Sequence, residues 1–220
     1  MLSYWQKRLY YILANPFMRI NGIRYKILNS PKIYNKDIIK VHLGPGQRNY
    51  ISGWINVDAN MFTAKCDVWT DIERSLPFKD SSVDVIYSHH VAEHLFDLES
   101  HFAEVFRVLK PGGVYRLGVP NGDAAIAKFI EEDFQWFGDY PKKFDGIGGK
   151  LNNFILCNNE HVHIMTESYL AEFIKSAGFK KFSRGLPTRI IENHLFEDVL
   201  INERERDFDY PHTLMLEITK

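Results

Sequence analysis

The stretches KVHLGPGQRN at residues 40–49 and GWINVD at residues 53–58 decide the fold of this chain. The first ends an apolar run with a turn that contains Gly44 and Gly46. The second ends a short apolar run with Asp58, fourteen residues after Gly44. Glycines at a strand end let backbone N–H groups approach a ligand closely, and an acid that ends the next strand can bind both hydroxyls of a ribose. The two stretches therefore predict a pocket for an adenosine-bearing ligand.

A third acid extends this pattern. Asp71 and Ile72 stand shortly before the LPFKD turn at residues 76–80, which leads into the apolar run at residues 83–87. An aspartate after a third strand can accept a hydrogen bond from an adenine amino group. The predicted pocket thus has a polar group for each part of an adenosine.

Strands and helices alternate along the chain, which predicts an α/β class with a doubly wound sheet. Thr166 is a predicted helix cap, and Pro111 follows the end of an earlier helix. The predicted strands are residues 38–43, 54–57, 83–87, 114–119, 179–184 and 213–219, and the predicted helices include residues 102–109 and 123–131.

The order of these pieces resembles the class I S-adenosylmethionine-dependent methyltransferases, especially their type 11 small-molecule group. Two further stretches carry the resemblance, LPFKDSSVDVIYSHHVAEHL at residues 76–95 and EVFRVLKPGGV at residues 104–114. It covers about residues 38–182. It implies a Rossmann-like methyltransferase fold, with a mostly parallel seven-stranded sheet, helices on both faces and a late strand hairpin. It also implies S-adenosyl-L-methionine as cofactor and S-adenosyl-L-homocysteine as product.

The same resemblance implies which residues hold the cofactor. The glycine turn would hold its methionine part, Asp58 its ribose, and Asp71 and Ile72 its adenine. Two positions depart from the family, because His42 replaces an acid and Arg48 replaces a third glycine; Arg48 either approaches the cofactor carboxylate or points to solvent. The expected cofactor contacts are His42, Leu43, Gly44, Pro45, Gly46, Asp58, Asp71, Ile72, Ser88 and His89.

Methyl transfer to a hydroxyl needs an aligned nucleophile and removal of its proton, a task that suits histidine near neutral pH. The expected catalytic residues are His90, His94 and His161, and His90 is the first choice because the family often has histidine there. The segment from His90 to Glu93 and His94 also matches an inverted zinc motif. That motif is short and lies inside the family's fourth-strand block. The sequence therefore favours the interpretation that no metal binds there.

Composition and net charge argue against several classes of protein. The 220 residues suit one domain, and the net charge of −1 argues against a general nucleic-acid binder. Cys66 and Cys157 lack a metal-binding spacing, and the chain shows neither a secretory leader nor an apolar run of membrane-spanning length. These features predict a cytoplasmic setting.

The first 36 residues are basic and aromatic, and we expect them to cap the domain. A short helix is predicted at residues 4–13, ending before Pro16. Few residues separate Gly46 from the next strand, so the usual helix there is short or missing and one sheet face lacks cover. Trp5, Tyr10 and Tyr11 are the predicted cover; the alternative is contact with an anionic membrane surface.

Residues 132–160 form an aromatic stretch without clean periodicity, which predicts a lid-like insertion on the acceptor side of the pocket. Trp136 and Tyr140 are candidates to stack on a sugar ring. A homodimer contact is the alternative use of the same aromatic residues.

The sequence therefore predicts methyl transfer to a hydroxyl or amine of a small molecule, with a sugar or glycan precursor as favoured acceptor. One alternative is a non-catalytic partner subunit that binds S-adenosylmethionine. A nicotinamide-dependent oxidoreductase ranks lower, because the turn lacks the third glycine of that fingerprint.

Overall fold

A computed structural model of the chain describes residues 4–28, 37–191 and 193–220, apart from the side chains of Tyr4, Trp5, Lys7 and Arg8. Its seven strands form one sheet in the order β3-β2-β1-β4-β5-β7-β6. The strands are β1 (Lys40–Leu43), β2 (Ile55–Asp58), β3 (Val68–Trp69), β4 (Val83–His89), β5 (Leu109–Pro120), β6 (Lys181–Gly185) and β7 (Thr213–Thr219).

The sheet is parallel from β3 to β5 and antiparallel at β7, which pairs with both β5 and β6. The chain winds outward from β1 in both directions, so the strand order reverses between β1 and β4. Ligands of open α/β sheets bind at the carboxyl ends of the strands beside such a reversal. The α/β class, the mostly parallel seven-stranded sheet and the late hairpin are confirmed.

Five α-helices lie among the described residues. Side-chain caps from Asp97, Asn121 and Thr166 begin three of them, as the sequence predicts for Thr166. The helices are α1 (Tyr4–Ile27), α2 (Leu98–Val108), α3 (Gly122–Ile130), α4 (Ile147–Leu156) and α5 (Glu167–Ser176), and two 3-10 helices span Ala92–His94 and His194–Asn202.

The sheet face next to the short link between Gly46 and β2 is covered by the 3-10 helix His194–Asn202. Its Phe196 and Val199 pack with Trp54 and Tyr87 in a buried cluster. The prediction that the N-terminal head covers this face was therefore wrong. The covering segment comes from the far end of the chain, where sequence periodicity gives no sign of its docking site.

A fully buried ion-pair network holds this covering segment in place. Arg116 of β5 donates to both carboxylate oxygens of Glu203 at 2.7 and 2.6 Å, and to Glu217 Oε1 of β7 at 2.6 Å. Glu203 Oε2 also accepts the backbone N–H of Thr188 at 2.8 Å. Glu203 thus belongs to the interior, although other acidic residues surround it in the sequence.

The first helix is longer than predicted, because α1 continues through Pro16 to Ile27. Proline removes one helical N–H, but both halves of α1 are held by contacts with the edge of the sheet. Ala14 and Met18 are buried there, and Asn21 Nδ2 donates to the Trp69 carbonyl at 2.6 Å. The prediction that Trp5 helps to cover the sheet lies outside the described side chains.

The outer face of α1 exposes a row of large apolar side chains beside Arg19 and Arg24. Even so, no helix in the described part of the chain combines the length and the apolar character that crossing a membrane requires. The exposed apolar side chains of α1 are Leu9, Ile12, Leu13, Phe17, Ile20, Ile23 and Ile27.

The aromatic stretch at residues 132–160 contains helix α4, which the sequence analysis did not predict. Its Leu151 and Phe154 pack with Trp136 and Phe137 against α3, and this packing outweighs the low helix propensity of its two glycines. Trp136 is buried and stacks on His212 at 4.3 Å. The proposal that Trp136 stacks on a substrate was therefore wrong.

Candidate cofactor and acceptor site

The glycine turn lies at the carboxyl end of β1 and requires glycine at both positions. Gly44 and Gly46 have φ angles of +70° and +54°, which side chains rarely adopt. A Cβ on Gly44 would lie 2.4 Å from Val91 Cγ2, whereas a Cβ on Gly46 would meet no atom within 4 Å. The turn is thus packed tightly against the segment after β4 on one side and borders open space on the other.

Asp58 ends β2 beside that open space. Its Oδ2 accepts the Gly46 N–H at 2.9 Å, and its Oδ1 accepts the Asn60 N–H at 2.8 Å. Burial raises the pKa of this carboxyl, and the backbone donors oppose the rise. The carboxylate is therefore fixed at the edge of the open space, with lone pairs left for hydroxyl groups.

Asp71 and Ile72 are buried next to β3, where Asp71 Oδ1 accepts the Glu73 N–H at 2.9 Å. A cavity of about 320 Å³ adjoins Asp71. Burial and the carboxylates of Glu73, Asp58 and Asp71 raise the pKa of Tyr11, so α1 brings its phenol close to all three acids. The sequence analysis missed several wall residues, since their proximity depends on packing; the cavity is lined by Tyr11, Ile12, Asn15, Asp71, Glu73, Arg74 and Phe96.

A buried hydrogen-bond chain connects the β3 loop with β4. His101 Nδ1 donates to the Ile72 carbonyl at 2.8 Å, and its Nε2 lies 3.1 Å from the Tyr115 hydroxyl. That hydroxyl lies 2.7 Å from Ser88 Oγ. Burial lowers the pKa of His101, so its neutral ring accepts from Tyr115, which in turn accepts from Ser88. The chain fixes Ile72 and Ser88 relative to each other.

The remaining predicted cofactor residues divide into buried and surface groups. His42 is buried with Nδ1 3.1 Å from Asn56 Oδ1, and burial lowers its pKa to about 4, so its ring is neutral. His89 is also held neutral, because burial lowers its pKa, and its ring stacks on Tyr87. Leu43 and Pro45 are buried in and beside the turn. Arg48 is exposed at the surface.

The three predicted catalytic histidines surround one buried acid, Glu93, which the sequence analysis mentioned only within the zinc motif. His90 Nδ1 lies 3.2 Å from Glu93 Oε1. The Nε2 atoms of His94 and His161 lie 4.0 and 3.9 Å from the same oxygen. His163 lies apart from this group in its contacts, with its ring nitrogens on the Leu95 carbonyl and the Tyr169 hydroxyl.

An unusual turn after α4 brings His161 to this group. Cys157, Asn158 and Asn159 all have positive φ angles, between 42° and 64°. Directly after them, the Val162 N–H donates to the Glu93 carbonyl at 2.9 Å. Non-glycine residues adopt such angles only where the surrounding structure holds them. The far end of the aromatic stretch is thus anchored on Glu93.

These residues fit S-adenosylmethionine. The open space at Gly46 accepts a ligand beside backbone groups, and Asp58 offers a fixed carboxylate to a ribose. Asn15 Oδ1, at the cavity wall, is buried without a hydrogen-bond partner among the described residues, as expected for a group awaiting a ligand. Val91, which lies against Gly44, directly follows His90, so the histidine group adjoins the glycine turn.

Comparison with known proteins agrees with this geometry. Residues 34–117 match a family model described as a methyltransferase domain. An S-adenosylmethionine-dependent methyltransferase of Mycolicibacterium smegmatis is 50% identical over 46 residues, which are 21% of this chain and 18% of that protein. A 24-methylenesterol C-methyltransferase of rice is 44% identical over 52 residues, 24% of this chain and 14% of that protein. The chain thus aligns with less than a fifth of either relative.

Among solved structures, an S-adenosylmethionine-dependent methyltransferase from Thermotoga maritima superimposes with a TM-score of 0.55. It is 15% identical, and the match covers 99% of this chain and 96% of that one, which shows a common fold. Residues 34–117, from β1 into β5, are thus similar to a methyltransferase domain, and the chain shares its fold with this solved methyltransferase.

Proposed function

We propose that this protein transfers a methyl group from S-adenosylmethionine to a hydroxyl or amine of a small molecule, with a sugar or glycan precursor as the favoured acceptor. The observation that carries the proposal is the Gly46–Asp58 hydrogen bond, which joins the glycine turn beside the strand-order reversal to the buried carboxylate that ends β2. The described residues contain no disulfide bond between Cys66 and Cys157, which suits a cytoplasmic setting.

The proposed assignments follow the contacts of each residue. The turn at Gly44 and Gly46 holds the methionine part of the cofactor, Asp58 accepts from the ribose hydroxyls, and Asp71 accepts from the adenine amino group while Ile72 packs on the ring. Tyr11 and Asn15 of α1 close the adenosine side. Each of these groups is fixed by burial or by backbone hydrogen bonds, so binding requires little reorganisation.

S-adenosylmethionine, when bound, supplies a sulfonium-activated methyl group. The acceptor's oxygen or nitrogen forms the new bond to the methyl carbon while the carbon–sulfur bond breaks, and its electron pair stays on sulfur. The acceptor also loses a proton. The protein's part is to align the acceptor opposite sulfur and to exclude water.

The acceptor would contact His90, His94 and His161, which lie beyond Val91 from the glycine turn. This group is polar and linked through Val162 to the end of the aromatic stretch, which would form the outer wall of the acceptor side. Imidazoles can form hydrogen bonds with the hydroxyls of a sugar ring. The short matches to sterol methyltransferases give no acceptor, because they span so little of those proteins.

Two measurements test the proposal. Isothermal titration should give micromolar or tighter binding of S-adenosylhomocysteine and no binding of NAD. Transfer of a labelled methyl group to a panel of sugars, amines and phenols should then identify an acceptor class. Binding of NAD in place of S-adenosylhomocysteine would refute the proposal. Cofactor binding with no transfer to any acceptor, alone or with a partner protein, would favour the non-catalytic subunit.

A further inference from the structure

We propose that Glu93, His94 and His161 form a binding site for a divalent transition-metal cation, which holds the acceptor's oxygen beside the cofactor. The geometry of the three side chains alone supports the binding site, whereas its role toward the acceptor rests on the proposed function. The sequence analysis favoured no metal; the tertiary structure adds His161 to the motif and buries its acid.

The Glu93 carboxylate is buried and has few partners for its charge. Its side chain is fully buried, and its Oε2 has no hydrogen-bond partner among the described residues. Its ionisable neighbours in the described ranges are the imidazoles of His90, His94 and His161, and the described contacts include no ion pair of Glu93 with lysine or arginine. Burial of a carboxylate without a cationic partner is unfavourable, and a bound cation would offset this cost.

The imidazoles of His94 and His161 are oriented as metal ligands are. His94 Nδ1 donates to the Glu160 carbonyl at 3.0 Å, and His161 Nδ1 donates to the Ile155 carbonyl at 2.8 Å. Because a carbonyl only accepts, both rings carry their proton on Nδ1, and in the neutral ring Nε2 presents a lone pair. Metal-binding histidines are held in this way, with the other ring nitrogen donating to a carbonyl.

The distances among the donor atoms of Glu93, His94 and His161 suit a bound cation. The Nε2 atoms of His94 and His161 lie 4.0 and 3.9 Å from Glu93 Oε1, too far for hydrogen bonds. One donor atom from each of the three residues lies within 4.8 Å of the others. A point equidistant from three such atoms is at most about 2.8 Å from each, close to metal–ligand lengths of about 2.0–2.6 Å. A small inward movement would therefore complete the coordination.

The donor set indicates the kind of cation and its use. Two imidazoles and one carboxylate suit Zn²⁺, Mn²⁺ or Fe²⁺, and three protein ligands leave open positions for a substrate oxygen. Val91, two residues before Glu93, packs on Gly44 of the glycine turn. A hydroxyl on the cation would thus lie close to the cofactor and lose its proton more readily than in water.

The test uses chelator-treated full-length protein and the metal alone. Titration with Co²⁺ should give visible absorption that saturates at one equivalent per chain. Zn²⁺ should displace it. Glu93→Gln and His161→Gln should weaken binding at least 100-fold. His163→Gln is the matched control, because this half-buried histidine on the same segment bonds only to Leu95 and Tyr169 in the described contacts. Unchanged affinity in both cluster variants would overturn the site.

Loss of S-adenosylhomocysteine binding will reveal a variant that fails to fold. A second measurement uses the wild-type protein and so does not depend on the variants. In ¹⁵N spectra of the wild-type protein, Zn²⁺ should shift the Nε2 resonances of His94 and His161 and leave their Nδ1 atoms protonated. Absence of these shifts at saturating Zn²⁺ would refute the site.

Turnover tests the role toward the acceptor. Removal of the cation should abolish methyl transfer and leave the affinity for S-adenosylhomocysteine unchanged, and added cation should restore transfer. Full transfer without a cation would show that the histidines act on the acceptor directly. Absence of S-adenosylhomocysteine binding would refute the proposed function instead, and the Co²⁺ titration would still report on the site.

Discussion

The backbone N–H of Gly46 donates to Asp58 Oδ2 at 2.9 Å, which fixes the glycine turn to the end of β2. Gly46 lies in the turn after β1 and Asp58 ends β2, and the carboxylate also accepts the Asn60 N–H. One side chain thus sets the shape of the loop on either side of the predicted ribose position.

Asp58→Ala should therefore weaken binding of S-adenosylhomocysteine by tenfold or more. The variant loses charge-assisted hydrogen bonds to the ribose, each worth about 1.5–3 kcal/mol before compensation, and frees the glycine turn. Isothermal titration measures the effect, and Asp145→Ala, at an exposed acid, is the control. Equal affinities of the Asp58 variant and the parent protein would show that the ribose lies elsewhere.

The hydroxyl of Tyr10 joins α1 to the loop after Asp58. It donates to the Ala59 carbonyl at 2.7 Å and lies 3.2 Å from Trp69 Nε1. Tyr10→Phe should lower the free energy of unfolding by about 0.5–1.5 kcal/mol and weaken cofactor binding. Urea denaturation and titration with S-adenosylhomocysteine measure the two effects. Tyr140→Phe, at a ring that is 73% exposed, should change neither.

Glu203→Gln should lower the free energy of unfolding by about 3 kcal/mol or more, because it leaves the buried guanidinium of Arg116 without half of its carboxylate partners. Urea denaturation provides the measurement. The control is Glu197→Gln on the same 3-10 helix, whose side chain is 67% exposed and should contribute less than about 0.5 kcal/mol. A similar small effect for both variants would contradict the structural role of the network.

The pair formed by His212 and Glu205 should make stability depend on pH. His212 Nδ1 donates to Glu205 Oε1 at 2.8 Å and Nε2 donates to the Trp136 carbonyl at 2.7 Å, so both nitrogens carry protons. Burial opposes this charge, but the bond to Glu205, the Trp136 carbonyl and the nearby Asp207 outweigh it and raise the pKa of His212 above 6.5. Burial likewise opposes the charge of Glu205, whose pKa the bond to His212 and backbone donors hold below 4.5.

The sign of the effect follows from these two shifts. The stabilisation by His212 is complete below pH 6.5 and is lost as the pH rises through the raised pKa of His212 in the folded protein. The stabilisation by Glu205 is complete above pH 4.5 and is lost as the pH falls through the lowered pKa of Glu205 in the folded protein. The difference in unfolding free energy between wild type and His212→Gln should therefore peak between pH 4.5 and 6.5. His194→Gln, at an 88% exposed side chain, is the control. A difference that grows toward pH 9 would contradict this assignment.

The strands, the caps and the glycine turn could be predicted because each depends on residues close in sequence. Gly44 and Gly46 have the positive φ angles that their spacing predicts, and Thr166 caps α5 through its own side chain. The regular alternation of strands and helices then leaves few ways to order a parallel sheet. The fold class and the resemblance to methyltransferases thus follow from sequence.

Contacts between distant segments decided the rest. Pro16 marked a predicted helix end, but tertiary bonds to Ala59 and Trp69 carry α1 past it. Arg116 would be expected at the surface, yet two carboxylates from other elements make its burial stable. Likewise, the sequence determined that Glu93 and His94 are adjacent, whereas only the turn after α4 brings His161 to them. Local sequence sets backbone conformation, but the free energy of a buried charge depends on the partners that the whole fold supplies.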